Sequence, residues 1–264
     1  MSEGGKANDS HTLAKTIKGE CAPTVSGDVC SDQGTLNKLR EQLKIMARDP
    51  TTIVREAMTK TSCTTESCAL DKTGLLENVV DRFRPPGPWK STKWLDNQNI
   101  DQVLAQYALK YPRFKHVEFQ MRDFATQGGE LSRLNWVQLM KDYDALGCVL
   151  NTDLSKGGGE HWTPIFVDFR GGTVEYFDSA GQEPYKEFVD FIINVAATLN
   201  KTGRRYQDVL LTNVEHQMKN TECGVYSLYY ILSRLHGVKY TAFADKRIPD
   251  DMMVLFRKCI FRNS

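Results

Sequence analysis

Residues 215–232 read EHQMKNTECGVYSLYYIL. From Val225 onward the apolar residues Val225, Leu228, Tyr229, Leu232 and Leu235 recur at three- and four-residue intervals, the stripe of a helix with one buried face. That helix opens near Cys223, because Asn220, Thr221 and Glu222 are residue types that suit a helix entry. A thiol in the first turn faces backbone N–H groups without helical partners and the positive end of the helix dipole, and both favour the thiolate. A buried cysteine is ordinarily a small hydrophobe. The position of this one marks it as a candidate nucleophile, and Gly224 beside it is expected to let a substrate backbone pass close to the sulfur.

A nucleophilic thiol needs a base, and the base needs an orienting acceptor. Of the five histidines, His161 lies in GGGEHWTPIFVDF, where a glycine-rich loop feeds a strand. His216, near the end of the strand expected over 208–217, is the weaker candidate. Residues 161–181 read as a hairpin, with strands near 163–169 and 173–178 and a turn at Gly171-Gly172. Asp178, in EYFDSAG, therefore falls at the same open end as His161. A strict two-residue turn would pair Asp178 with Ile165, so a bulge or a longer turn has to close the gap to His161. Acyl transfer also requires donors at the developing oxyanion. The backbone N–H of Cys223 and the side-chain amide of Gln217 are the candidates.

The remaining chain supplies a mixed scaffold. LGCVLNTD at 146–153 suits a buried strand, and DVLLTNVEHQ at 208–217 suits another. EPYKEFVDFIINVAATL is helical, with Phe188, Phe191, Ile192 and Val195 on one face. Ile100, Val103, Leu104 and Tyr107 form a second helical face. Helices, strands and a hairpin together indicate an α+β fold. RPPGPW at 84–89 interrupts everything and divides a helical N-terminal region, 1–84, from a main domain, 85–264. Within the first region, Leu36, Leu39, Leu43 and Met46 mark one helix. Asp49-Pro50 stops it and caps a second, and Leu76, Val79, Val80 and Phe83 share a face of a third over 73–84. Residues 1–33 are polar and expected to be mobile in part.

With 34 basic and 33 acidic residues in 264, the net charge of +1 gives no general argument for nucleic-acid or membrane binding. No run approaches the ~18 apolar residues of a membrane span. The segment at 1–20 lacks the apolar centre of a signal peptide, which predicts a reducing compartment and no secretion. The seven cysteines are an odd, scattered set, expected to be free thiols with no disulfide framework. Cys63 and Cys68 lack the second pair that a zinc site needs.

Taken together, His161, Asp178, Gln217 and Cys223, at spacings of 17, 39 and 6, resemble the site of the cysteine-protease clan of the SUMO-specific and adenovirus proteases. The motifs that carry the resemblance are HW at 161–162, FDSAG at 177–181, HQMKNTECGVYSLYY at 216–230 and WLDNQNI at 94–100. TESCAL at 65–70, RPPGPW, CVLNTDLSKGGGEHWTPIFVDFRGG and TECGVYSLYYI are similar to the polyprotein-processing proteases of the African swine fever virus group, over nearly the whole chain. Those proteases carry Asn where this chain has Asp178, whereas SUMO-specific proteases carry Asp. Either side chain accepts the imidazole N–H.

The resemblance implies a papain-like core with a central mixed sheet flanked by helices, and no metal or organic cofactor. It implies cleavage of viral polyprotein precursors after Gly-Gly, during maturation of the virion core, in the host cytoplasm and the virion. Ubiquitin-like proteins are possible further partners. It also implies a glycine-only slot walled by Trp94 and Trp162, with Gly224 beside it. Three other functions stand beside it: removal of SUMO- or ubiquitin-like tags from lysines by the same chemistry, acetyl transfer by a similar His–acid–Cys set, and a structural role in the virion with a dead site.

Overall fold

The computed structural model describes residues 19–263. The N-terminal region carries helices α1 (Gln33–Leu43), α2 (Pro50–Thr61) and α3 (Glu66–Lys72), then a 3₁₀ segment, Leu76–Arg82. Asp32, Asp49 and Thr65 cap the three helices through side-chain oxygens that accept N–H groups three residues on. Pro50 stands at the first helical turn, as the Asp49-Pro50 pair predicts. The expected helix over 73–84 is instead the 3₁₀ segment. Its backbone leaves helical geometry at Val79, and Val80 is exposed. Met46 lies beyond α1 and is exposed too.

The partial mobility expected of residues 1–33 concerns in part residues outside the described ones. From Gly19 on, Cys21, Ala22, Cys30 and Ser31 are buried. The free-thiol expectation is overturned. Cys21 bonds Cys30 and Cys63 bonds Cys68, with Cα separations of 5.0 and 5.7 Å. Sequence separations of 9 and 5 close small local loops, which a reading based on scatter overlooks. Among the described residues Cys148, Cys223 and Cys259 form no disulfide.

The main domain begins with α4 (Asn97–Lys110), β1 (Phe114–His116), β2 (Gln120–Met121), α5 (Phe124–Gln127) and α6 (Trp136–Asp142). It continues through β3 (Ala145–Asn151), β4 (Trp162–Asp168), β5 (Thr173–Phe177), α7 (Lys186–Asn200) and β6 (Gln207–Leu211). It closes with α8 (Cys223–Leu235), α9 (Ala242–Asp245) and α10 (Asp250–Ile260). Among the described residues the strands form one six-stranded mixed sheet in the order β1-β3-β4-β5-β6, with β2 also on β3. The β3–β4 and β4–β5 pairs are antiparallel, and β1, β2 and β6 join in parallel.

Strand β3 is buried along its whole length because both faces of the sheet are covered. Val149 and Phe166 pack with α4, α8 and α10 on one side, while Leu146, Leu150 and Ile165 pack with α7 on the other. A third apolar cluster fills the N-terminal region around Leu39, Ile53, Ala57 and Phe83. This region is tied to the main domain by its linker. The Arg262 N–H donates to Pro85 O at 3.1 Å, and the Phe261 ring lies where a Cβ on Gly87 would stand.

Candidate active site

The β4–β5 register settles how the base and its acceptor meet. Asp168 pairs with Thr173, so four residues turn the chain instead of two. The register moves by two residues, which carries Asp178 from Ile165 to the level of Thr163, diagonal to His161 and on the same face. Diagonal neighbours across a ladder lie within reach of long side chains. The His161 Nε2–H accordingly donates to Asp178 Oδ1 at 3.0 Å. Asp178 is itself held. Its Oδ1 accepts the Ala180 N–H at 2.7 Å, and its Oδ2 accepts the Tyr176 hydroxyl at 3.3 Å.

The Cys223 side chain lies close enough to His161 to help raise the imidazole pKa. The structure therefore brings together, in one neighbourhood, an acid from the end of a hairpin, an imidazole from its start and a thiol from the tip of α8. Burial opposes the imidazolium, but the hydrogen bonds to Asp178 and Cys223 and the charges of the same two groups outweigh it. The His161 pKa is pushed up from its ordinary 6.5 to about 10.

Three elements fix the relative position of thiol and imidazole. The Ser227 hydroxyl, one turn along α8, donates to Trp162 O at 3.0 Å and contacts Cys223 O at 2.9 Å, which seats the helix on the strand that carries His161. Asn151 Oδ1 accepts the N–H groups of Asp153 and Glu160, closing the loop that leads to His161. On the far side, α10 braces the 217–222 segment. Asp250 accepts the N–H groups of Met218 and Lys219 at 3.2 and 3.1 Å. The Arg257 guanidinium pairs with Glu222 at 2.8 Å and donates to Thr221 O at 3.0 Å.

The Glu222 and Arg257 side chains are 0% and 1% exposed. Removing one partner of such a pair strands the other charge, at a cost of about 3–5 kcal/mol. Arg257→Ala is expected to lower the urea midpoint by that amount of stability, and combining it with Glu222→Gln is expected to recover most of the loss. Equal midpoints for wild type and Arg257→Ala in urea melts would contradict this assignment.

Gln217 is buried and lies beside the site. Its Oε1 accepts the Ser179 hydroxyl at 2.8 Å, and its Nε2 donates to Lys219 O. His216 is excluded as a base. It is 1% exposed, its Nε2 bonds Phe243 O at 2.9 Å, its Nδ1 accepts the Ile248 N–H at 3.0 Å, and burial lowers its pKa.

Trp94 and Trp162 line one cleft of about 470 Å³ with Leu95, Phe119 and Gly158. Trp94 is half exposed, whereas the Trp162 indole N–H is spent on Leu95 O at 3.0 Å. The expected open approach at Gly224 is corrected. A Cβ there would stand 3.1 Å from Leu95 and 3.3 Å from Trp162, so the glycine lets α8 pack against the indole and does not clear a path for substrate. A groove of similar volume, about 450 Å³, lies at the other end of the sheet around Arg113, Asp144 and Arg234, away from the thiol.

Sequence reading missed Ser179, Ser227, Asp250 and Arg257. Ser179 sits inside the quoted FDSAG motif and Ser227 one turn after Cys223, so position alone could have flagged them. Nothing local marks Asp250 or Arg257, which reach the site only through the packing of α10.

Comparison with known proteins bears on the family and the fold. The family profile described as the Ulp1 protease family, C-terminal catalytic domain, matches residues 100–263. The chain is 37% identical over 227 residues to the cysteine protease S273R of African swine fever virus (a tick isolate from Malawi), covering 76% of this chain and 83% of that protein. The same identity and coverage hold for a protein from a Kenyan pig isolate named SUMO-1 cysteine protease S273R. The crystal structure of the African swine fever virus pS273R protease superposes with a TM-score of 0.81 at 33% identity, over 95% of this chain and 99% of that one.

Proposed function

Because the chain belongs to the Ulp1 protease family, we propose that this viral cysteine protease cleaves polyprotein precursors after a Gly-Gly pair, with Cys223 as nucleophile, His161 as acid–base and Asp178 as its orienting acceptor. The observation that carries the residue roles is one imidazole that bonds Asp178 at 3.0 Å and whose pKa the neighbouring Cys223 side chain helps to raise. His161 holds the thiol proton, and the thiolate attacks the carbonyl carbon of the second glycine. The oxyanion is met by the Cys223 N–H at the helix start and by the Gln217 amide. His161 then gives its proton to the leaving amine, and water releases the acyl group from sulfur.

The glycine preference is steric. Trp94 and Trp162 line one cleft, Trp162 also packs at Gly224, the neighbour of Cys223, and a flat dipeptide without Cβ atoms slides between indoles where a side chain collides. The site of action that fits such processing is the host cytoplasm and the assembling virion. Among the described residues no helix is long and apolar enough to cross a membrane. The name of one relative, a SUMO-1 cysteine protease, favours a second reading in which ubiquitin-like tags ending in Gly-Gly are removed from lysines.

The expected outcome with matched peptides is that Gly-Gly-Xaa is cut roughly 10–200-fold better in kcat/KM than Gly-Ala-Xaa, the range one added carbon commands in a tight pocket. Equal cleavage of the two would eliminate the slot. Parallel incubation with a SUMO–lysine conjugate and with a polyprotein fragment separates the two substrate readings.

A further inference from the structure

The Gln217 amide can face the oxyanion in two ways that differ by a flip. Presented by nitrogen it donates; presented by oxygen it repels. We propose that Ser179 is the positioning residue that selects the donating orientation, an inference that rests on the reading of Gln217 as an oxyanion donor.

Three contacts define the amide. The Ser179 hydroxyl donates to Gln217 Oε1 at 2.8 Å, in a site where both residues are buried. Gln217 Nε2 gives one of its two hydrogens to Lys219 O. The carboxamide therefore has its oxygen engaged, one N–H engaged and one N–H left for the reacting carbonyl. A flipped amide would set its oxygen against the Lys219 carbonyl and force the Ser179 hydroxyl to turn from donor to acceptor. Asp250 reinforces the arrangement, because its bond to the Lys219 N–H restrains the backbone of the residue whose carbonyl takes the Nε2 hydrogen.

The main chain of Ser179 has a separate role. Its carbonyl accepts the N–H groups of His216 and Gln217 at 2.8 and 2.7 Å, so it holds the loop in place. Those bonds do not involve the hydroxyl. Alanine at 179 keeps the loop tethered and removes only the orienting bond, which makes the side chain separable from the fold.

The test compares wild type, Ser179→Ala, Gln217→Ala and the double variant on a peptide that the wild-type enzyme turns over. Alongside, it measures the rate at which iodoacetamide alkylates Cys223, read by peptide mass spectrometry. Loss of an oxyanion donor costs roughly 10²–10³ in kcat, and loss of its orientation costs part of that. Ser179→Ala is expected to lower kcat by about 10–100-fold with KM within about twofold. It is expected to add nothing in the Gln217→Ala background. Alkylation, which develops no oxyanion, is expected to proceed at the wild-type rate in both single variants.

An unchanged kcat in Ser179→Ala overturns the proposal. So does an equal loss with and without Gln217, or a parallel fall in alkylation, because either marks general distortion of the site. If Gln217→Ala itself keeps full kcat, the oxyanion reading fails first and takes the proposal with it, an outcome distinct from failure at Ser179 alone.

Discussion

A Cys223→Ala enzyme is expected to fold as the wild type does and to cleave nothing measurable. The sulfur is the only atom at the start of α8 that can form the acyl intermediate, and the side chain is 3% exposed, so its truncation opens a small gap in a well-braced loop. In a hydrolase that works through a nucleophile–base unit, removing either member costs roughly 10⁶-fold in kcat. His161→Ala is expected to match it, and the double variant to be no worse than either single one, because the two residues act as a unit. Turnover of a peptide substrate, with circular dichroism and thermal unfolding as the control for folding, checks all three. Residual activity in Cys223→Ala within tenfold of wild type would refute the covalent mechanism.

The second large effect is expected at Asp178, where two substitutions are expected to separate. Asp178→Ala removes the acceptor of the His161 Nε2–H and the charge behind it, at a cost of roughly 10³–10⁴-fold in kcat, the scale for losing the orienting acid of a triad. Asp178→Asn can keep its oxygen at the Oδ1 position, held there by the Ala180 N–H, while its amide nitrogen turns to the Tyr176 oxygen, which can accept. The hydrogen bond to His161 survives and the charge does not, so most of the rate at neutral pH is expected to remain.

The pH profile then tells the two contributions apart. With its pKa raised to about 10, His161 stays protonated and able to serve the leaving amine until the pH passes through that value. The alkaline limb of kcat/KM is therefore expected near pH 10 in the wild type and lower in Asp178→Asn, because burial continues to oppose the imidazolium while the Asp178 charge no longer supports it. The accompanying stability follows the same sign. A raised folded-state pKa contributes fully below the ordinary 6.5 and is lost as pH rises through about 10. Superimposable limbs in wild type and Asp178→Asn would show that the charge has no such role.

Much of this site was legible before any coordinates. The helix at Cys223, the hairpin and the four-residue constellation all rest on short-range signals: an apolar stripe, a glycine turn, polar residues at a helix start. The fold class was legible for the same reason. What failed was register and reach. The Gly171-Gly172 pair suggested a two-residue turn, but the loop spans Phe169–Gly172, and that difference of two residues puts Asp178 within bonding distance of His161. Gly224 was read as space for substrate, whereas Leu95 and Trp162, distant in sequence, fill that space. Periodicity over 73–84 suggested a regular helix that the backbone at Val79 does not sustain. Asp250 and Arg257 lie 27 and 34 residues beyond Cys223 in the chain, and no local pattern announces that α10 will return to brace the 217–222 segment.

The two cystines of the N-terminal region bear on how this enzyme is handled at the bench. The Cys21 and Cys30 carbonyls accept the Nε–H groups of Arg84 and Arg82, at the entrance to the Pro85–Gly87 linker. Dithiothreitol, added to rescue an oxidised Cys223, also opens the rings that hold those carbonyls. A gain or loss on reduction consequently mixes thiol chemistry with loosening of the linker, and a Cys21→Ser/Cys30→Ser protein assayed in both buffers is the control that keeps them apart.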